Sequence, residues 1–594
     1  MQDTKHLVHS PALLKAMSDH LYYALTFDIA SGYRFYVVYM DWLLNERSVN
    51  QALIISEAFW GILNYRVQRN GVEEHPYRTQ LEQSTLSFEQ IIHDEQVDQV
   101  QLLYARGQNN EATALGETLY CQFVEHGVLP PEGREITTAC LPLDQYLFVE
   151  LSNSWALALH ASQKTIGSER AANLFTRVIT LLEHDDLIKD DFLRLRCDYF
   201  LGHAYTRRGY VRHQQQRYAD AIADSERGRN AFRRYRDEPV PDHPSRLPAE
   251  QILNDHVAKN LAQVTNNMAY TLSLTGNFKR ALRLSDEVLK QFVPLVSEYQ
   301  KALFHNTNGL IHIRAEDYKG AAEPIAMAEL LAKQSGVNRA RALVSRARGQ
   351  LERAKMTASG EPDLGIELYY EQAAEWLSNE PDMQREVLYD WSGYVRDMAV
   401  LYRAQNKTGE ATRYEQRALD LLDKALATLP DEPSMQRADH LESKVVIYRI
   451  MGQCEQAATL LDEAEAIIHT IEIQEYGQVV CGKIALQRSL ILLYRDKDYV
   501  ETLRLMAIAL ARAYVFAKVH HDQTIFERII KQHLRHIPAE ELRRFKQETE
   551  SEKLYVIADD LPYHKPDEQR WSDAWEDSIA YINEVIGDRL TKYP

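Results

Sequence analysis

Few residues in this 594-residue chain stand at a spacing that chemistry would need. Gly477-Gln478-Val479-Val480-Cys481-Gly482-Lys483 fits the GxxxxGK frame of a phosphate-cradling loop. The next residue is Ile484, where such a loop needs Ser or Thr to hold Mg²⁺, and no strand pattern precedes it. The string therefore reads as the first helix of a hairpin. His520, His521, His533 and His536 form a second cluster. His533 and His536 share a helix face and could take a metal with a carboxylate such as Glu527, but spacing fixes no third ligand, so solvated histidines are the plainer reading. Cys121, Cys140, Cys197, Cys454 and Cys481 are scattered and never form CxxC, which suits buried thiols in a reducing cytoplasm. GxSxG, HExxH and a GxGxxG after a strand are all missing. The expectation is a chain that is not an enzyme and needs no cofactor or metal. A metal-dependent enzyme built on the C-terminal histidines stands as a remote alternative.

Charge narrows the partners. The formal net charge is −18 with a pI near 5.7, a surface that repels polyanions, so nucleic acid is disfavoured. Two basic clusters stand against that background. One runs through Arg207, Arg208, Arg212, Arg217, Arg227, Arg229, Arg233, Arg234 and Arg236. In the other, Arg339, Arg346 and Arg353 recur every seven residues, which stacks them along one side of a helix. Pairing with acidic neighbours is the plain reading of both, and a docking patch for an acidic peptide or partner domain is the sharper one. The N-terminal residues lack the apolar core of a signal peptide, and no run of 18 apolar residues exists, so a cytoplasmic chain without a membrane span is expected.

The elements that would position such residues are paired helices. Leu261–Leu331 holds two such pairs, with Gly276 at the first turn and Glu316 at the second, and Ala281 and Ala321 each five residues later. Gly107 and Ala112 repeat that offset, as do Asn406 and Ala411, and Gly452 and Ala457. Antiparallel helices packed closely need small residues where they cross, and such a hairpin buries its apolar face only by stacking on a neighbour. Leu201-Gly202-x-x-Tyr205 followed by Gly209 is the fullest single motif, although Ala221 then lies 12 residues beyond the expected turn, an excess of seven, read as an extended helix pair. The pattern resembles the tetratricopeptide (TPR) repeat, in a divergent form with repeats of 40 to 46 residues. The fold expected is all-α, an α-solenoid of stacked antiparallel helix hairpins. Pro239, Pro241, Pro244 and Pro248 break the helical pattern, which divides the chain into an N-terminal array (1–236), a linker (237–250), a second array (251–537) and a capping segment (538–594).

The resemblance also implies a site. In TPR-like folds the first helix of each pair lines a concave surface. Counted back from Gly276, its inward positions are Gln263, Asn266, Tyr270 and Ser273. Counted from Glu316 they are Leu303, Asn306, Leu310 and Ile313, and from Gly209 they are Arg196, Tyr199, His203 and Thr206. Asn266 and Asn306 share one position in adjacent repeats, and an Asn there can bond both N–H and C=O of an extended peptide. The expected function is a non-catalytic scaffold or sensor holding a peptide or partner-protein segment in that groove. The alternative is the regulatory or sensor arm of a signalling or defence system of the STAND (signal transduction ATPase) type, with the ATPase or effector on another chain.

Overall fold

Where a helix stops and reverses decides how this chain packs. In the computed structural model the described residues are 11–28 and 49–70 with scattered residues between them, 88–125, 142–162, most of 166–237, 249–429, 433–471, 475–515, 520–550 and 568–592. The proline-rich stretch 238–248 lies outside them.

Seven hairpins reverse through one residue in the left-handed region: Gly107, Gln216, Gly276, Glu316, Asn406, Gly452 and Lys497, with φ between 56° and 77°. Five residues after each comes a small side chain that is at most 1% exposed: Ala112, Ala221, Ala281, Ala321, Ala411, Ala457 and Thr502. The left-handed residue lets the chain cap its own helix. Asn277 N–H reaches back to Leu272 O (3.0 Å) and Gly276 N–H to Ser273 O (3.3 Å), and the same pair of bonds recurs at Glu316/Asp317, Asn406/Lys407 and Gly452/Gln453. These are the two bonds of a Schellman cap, which consume carbonyls that a helix end otherwise leaves idle.

The excess of seven residues after Gly209 thus has a simple origin. The helix runs on to Gln214, and the turn is at Gln216, which restores the five-residue offset to Ala221. Gly209 is a crossing residue instead: Ala221 O would lie 3.2 Å from a Cβ placed on it, and Asp224 Cβ 3.3 Å.

The chain divides into two compact units, 1–215 with 219–267, and 216–218 with 268–594. The first holds α1 (Pro11–Phe27), α2 (Val49–Asn70), α3 (Phe88–Ala105), α4 (Asn109–Glu125), α5 (Pro142–Ser162), α6 (Ile166–Glu183), α7 (Cys197–Gln214), nearly all of α8 (Tyr218–Asp237) and most of α9 (Ala249–Leu274). The second holds the rest: α10 (Phe278–Gln291), α11 (Glu298–Arg314), α12 (Tyr318–Ser335), α13 (Asn338–Ser359), α14 (Glu367–Trp376), α15 (Pro381–Ala404), α16 (Thr408–Ala427), α17 (Met435–Ile450), α18 (Cys454–Thr470), α19 (Glu475–Ile491), α20 (Tyr499–Val515), α21 (His520–Leu534), α22 (Ala539–Glu550) and α23 (Glu568–Lys592). The described residues form no strand.

In each unit the helices stack as antiparallel hairpins. In the second unit, first helices pack on first helices, α11 on α13 and α19 on α17, while α12, α16 and α18 each pack on the first helix that follows. The first helices of these hairpins thus form a layer of their own in this unit. The hairpin α13/α14 fills the gap between the repeats that turn at Glu316 and Asn406. Its crossing is made at Gly349, where a Cβ would stand 2.9 Å from the Tyr370 ring. At the C-terminal end α23 packs Trp571, Trp575, Ile582 and Ile586 into the core shared with α20.

A left-handed residue with a branched side chain is strained by about 1–2 kcal/mol. Gly452→Val, where nothing lies within 4 Å of the new Cβ, should therefore lower the thermal midpoint. Glu316→Gly should raise it or leave it unchanged, since φ is already 59° there. Parallel melting curves by circular dichroism read both; equal loss in the two variants would contradict the capping geometry.

Candidate functional site

The chemistry-like strings of the sequence resolve into packing. Gly477–Lys483 lies in α19, with Val479, Val480 and Cys481 buried, and Lys483 Nζ donates to Asp439 Oδ1 (3.0 Å). His533 Nδ1 meets the Tyr494 hydroxyl (2.6 Å), and burial pushes its pKa down to about 4. Glu527 accepts from Tyr514 Oη (2.8 Å), and the side chains of His520 and His521 lie outside the described residues. No group of three or more His, Cys, Asp or Glu is placed to hold a metal among the described residues. There too, no helix is long and apolar enough to cross a membrane. Cys481 is buried, but Cys121 is exposed, against the expectation of buried thiols, and Cys140 lies outside the described residues.

The arginine clusters find their acids inside the chain. In the first unit Arg208 grips Asp224 with Nε (2.9 Å) and Nη2 (2.7 Å), and Arg212 adds a third contact at 2.8 Å. Asp224 is fully buried, so this is a core ion pair. In the second unit Arg346 holds Asp390 and Glu386, both at 2.5 Å, Arg353 holds Asp397 (2.7 Å), and Arg339 stands 3.7 Å from Glu380. The acidic partners of the seven-residue stripe thus lie on α15 and at Glu380 immediately before it, and the patch Arg339–Arg346–Arg353 is occupied internally.

The inward positions divide more finely. Counting back from Gln216 in place of Gly209 replaces Arg196 and Tyr199 as inward residues and gives His203, Thr206, Tyr210 and His213. Tyr199 is 4% exposed and packs its ring on His203, Phe232 and Tyr235, a core role. Arg196 stands immediately before α7 and makes no side-chain capping bond. His203 remains, with its Nε2 3.2 Å from Asn260 Nδ2. Gln263 donates to Asn267 Oδ1 (2.8 Å). Tyr270 accepts at its hydroxyl from Arg314 (3.0 Å), whose guanidinium also lies over the ring at 4.5 Å.

Asn266 and Asn306 are different. They are 5% and 6% exposed, and neither Oδ1 has a hydrogen-bond partner. Asn153, which sequence reasoning did not single out, matches them: 5% exposed, with Oδ1 unpartnered. It lies fifteen residues before the buried Ser168, the spacing that separates Asn266 from Ala281 and Asn306 from Ala321. That spacing was readable in the sequence, but a serine at the crossing hid it.

The same position is polar in every later hairpin of the second unit: Gln350, Arg396, Glu442 and Gln487, each ten residues before the left-handed residue. Gln350 donates to Asp390 Oδ2 (2.7 Å), and Gln487 Oε1 accepts from Arg449 (3.0 Å). Burial raises the Glu442 carboxyl above its ordinary range. Burial also pushes Asp397 up, but the Arg353 and Arg396 guanidiniums outweigh it and hold that carboxyl low. Tyr389 donates to Asp439 (3.0 Å) and shares a 3.0 Å bond with Ser443. Between α15 and α17 a cavity of about 80 Å³ opens beside these groups, lined among others by Arg353, Tyr389, Asp390, Arg396, Leu422 and Ile447.

No family model and no curated protein matches the chain. Among solved structures it is similar to a Rap protein complexed with competence and sporulation factor, at 10% identity over 76% of this chain and 99% of that one, with a TM-score of 0.39. It is similar to the Rap conjugation gene regulator of the plasmid pLS20 in complex with a Phr peptide, at 12% identity over 75% and 97% of the two chains, with a TM-score of 0.34. A third likeness is to a signal transduction ATPase with numerous domains and a tetratricopeptide repeat sensor from Pyrococcus horikoshii, at 11% identity over 66% and 59%, with a TM-score of 0.31. At such scores none of them speaks to what this chain binds.

The buried polar face has opposed pH responses. Glu442, raised in the folded chain, costs stability as pH rises through its unfolded value towards its folded one. Glu442→Gln should therefore raise the thermal midpoint at neutral pH, with the difference closing below the ordinary carboxylate range. Asp397, held low, contributes stability that disappears as pH falls through its folded value. Asp397→Asn orphans two guanidiniums and should cost about 3 kcal/mol at neutral pH by denaturant titration.

Proposed function

We propose that this chain is a non-catalytic interaction scaffold or sensor that holds an extended segment of a partner protein against its first helices. The observation that carries the reading is the repeated asparagine with an idle carbonyl. A buried, unsatisfied acceptor costs about 1–3 kcal/mol, so its recurrence at one helical position in each unit calls for a use. Asn153 and Asn266 supply it in the first unit and Asn306 in the second. An asparagine so placed meets both the N–H and the C=O of a peptide unit, which recognises an extended backbone whatever its side chains. Val400, 45% exposed on the same face, offers the apolar contact such a segment also needs. The partner is a peptide or protein segment; no step of bond making or breaking is assigned.

A displayed random-peptide library panned on the full chain tests this. Peptides should enrich, and Asn306→Ala should weaken those bound by the second unit about fivefold, the worth of one hydrogen bond, with an unchanged melting curve. Failure to enrich any peptide, or equal binding by wild type, Asn153→Ala, Asn266→Ala and Asn306→Ala, would refute it.

A further inference from the structure

We propose that the cavity between α15 and α17 takes the carboxylate of an acidic side chain of the bound segment, an inference that rests on the groove reading above. Arg396 has the loosest ion pair of this cluster. Asp397 is shared by two guanidiniums: Arg353 uses Nε and Nη2 at 2.7 Å, and Arg396 reaches it through Nη2 alone at 3.3 Å. One carboxylate cannot neutralise both. Asp390, the acid in the cavity wall, is already spoken for by Arg346 Nε (2.5 Å) and Gln350 (2.7 Å). Glu386, the other partner of Arg346, has a side chain 59% exposed, where water screens it. Behind Tyr389, Lys483 and Asp439 cancel one another. Glu442, on α17, is the remaining acid near Arg396, and it forms no ion pair within 4 Å among those described.

Geometry points the same way. The Arg396 side chain is 31% exposed, and among the described residues its Nε and Nη1 carry no hydrogen bond. Nε–H and Nη1–H leave the guanidinium by different edges, so each can donate a single charge-assisted bond to an incoming carboxylate oxygen. Arg353 is kept beside it by Gly393: a Cβ at that position would lie 2.6 Å from Arg353 Nη1. Tyr389 and Ser443, bonded to one another, and the apolar Leu422 and Ile447 also line it, and apolar surroundings strengthen an ionic contact. The volume, about 80 Å³, admits one small anionic group and excludes a whole ligand. The group must therefore be the tip of something held outside, as a side chain of a segment lying on the first helices would be.

Random peptides are panned against the full chain and against Arg396→Met, with and without free glutarate. Arg396→Met leaves Asp397 paired with Arg353, so folding should survive, as melting by circular dichroism will show. Gly393→Ala, which crowds Arg353 while leaving Arg396, is the second variant. The expected result is that a class of wild-type-selected peptides shares an acidic position and binds both variants about tenfold more weakly. The same peptides with Asn or Gln at that position should bind all three proteins alike. Peptides that enrich with no acidic preference, or acidic ones that bind wild type and Arg396→Met equally, would overturn the carboxylate cavity and leave the groove standing. Glutarate that binds wild type and not Arg396→Met, with no acidic preference among peptides, would overturn the peptide source. No enrichment of any peptide would sink the groove and this inference together.

Discussion

Close approach of two helices at a side chain no larger than threonine is the constraint on which the structure depends. Ala281, Ala321, Ala411 and Ala457 are fully buried at such crossings, each five residues after a left-handed turn residue. The spacing locks local and tertiary structure together. A Schellman cap ends one helix, the next starts two residues later, and its second turn carries the alanine back to the partner helix. Because a single hairpin leaves apolar surface on both sides, stacking follows. A face of first helices then arises without any residue being selected for it.

That face is polar where a sealed core would not be. In the second unit the position ten residues before the turn is Asn306, Gln350, Arg396, Glu442 and Gln487 in successive hairpins. Most of these have internal partners, and the ion pairs joining α13 to α15 hold Arg346 and Arg353 in place. Buried ion pairs are poor sources of net stability, since desolvation offsets their attraction. What they do supply is fixed geometry. Against that fixed background the exceptions are informative: an asparagine carbonyl with no partner, and a guanidinium with two idle donors.

Much of this was legible in the sequence, and the failures have physical causes. Turns at Gly276, Glu316, Asn406 and Gly452 were readable because the five-residue offset to alanine is fixed by the cap. The turn near residue 209 was misplaced because Gly209 has two possible uses, and only the helix packed against it, through Ala221 and Asp224, tells a crossing glycine from a turn glycine. With that shift, Arg196 and Tyr199 left the inward set and Tyr210 and His213 entered it. The arginine stripe was read correctly as one side of a helix, but its acids lie some 40 residues away on α15, beyond any local pattern. Asn153 was missed because serine replaces alanine at its crossing. The cavity beside Arg396 has no linear signature, since three first helices and a second helix contribute to it.

Whether a partner segment lies on the first-helix face of the second unit decides the proposed function. Photo-crosslinking tests it most directly, with p-benzoylphenylalanine in place of Val400 on the first-helix face or of Met327 on the second helix α12; these residues are 45% and 40% exposed, so reach to solvent is comparable. Irradiation in the presence of a selected peptide should give an adduct from position 400 and none from position 327. Adducts from position 327 alone would place binding on the opposite face and contradict the account.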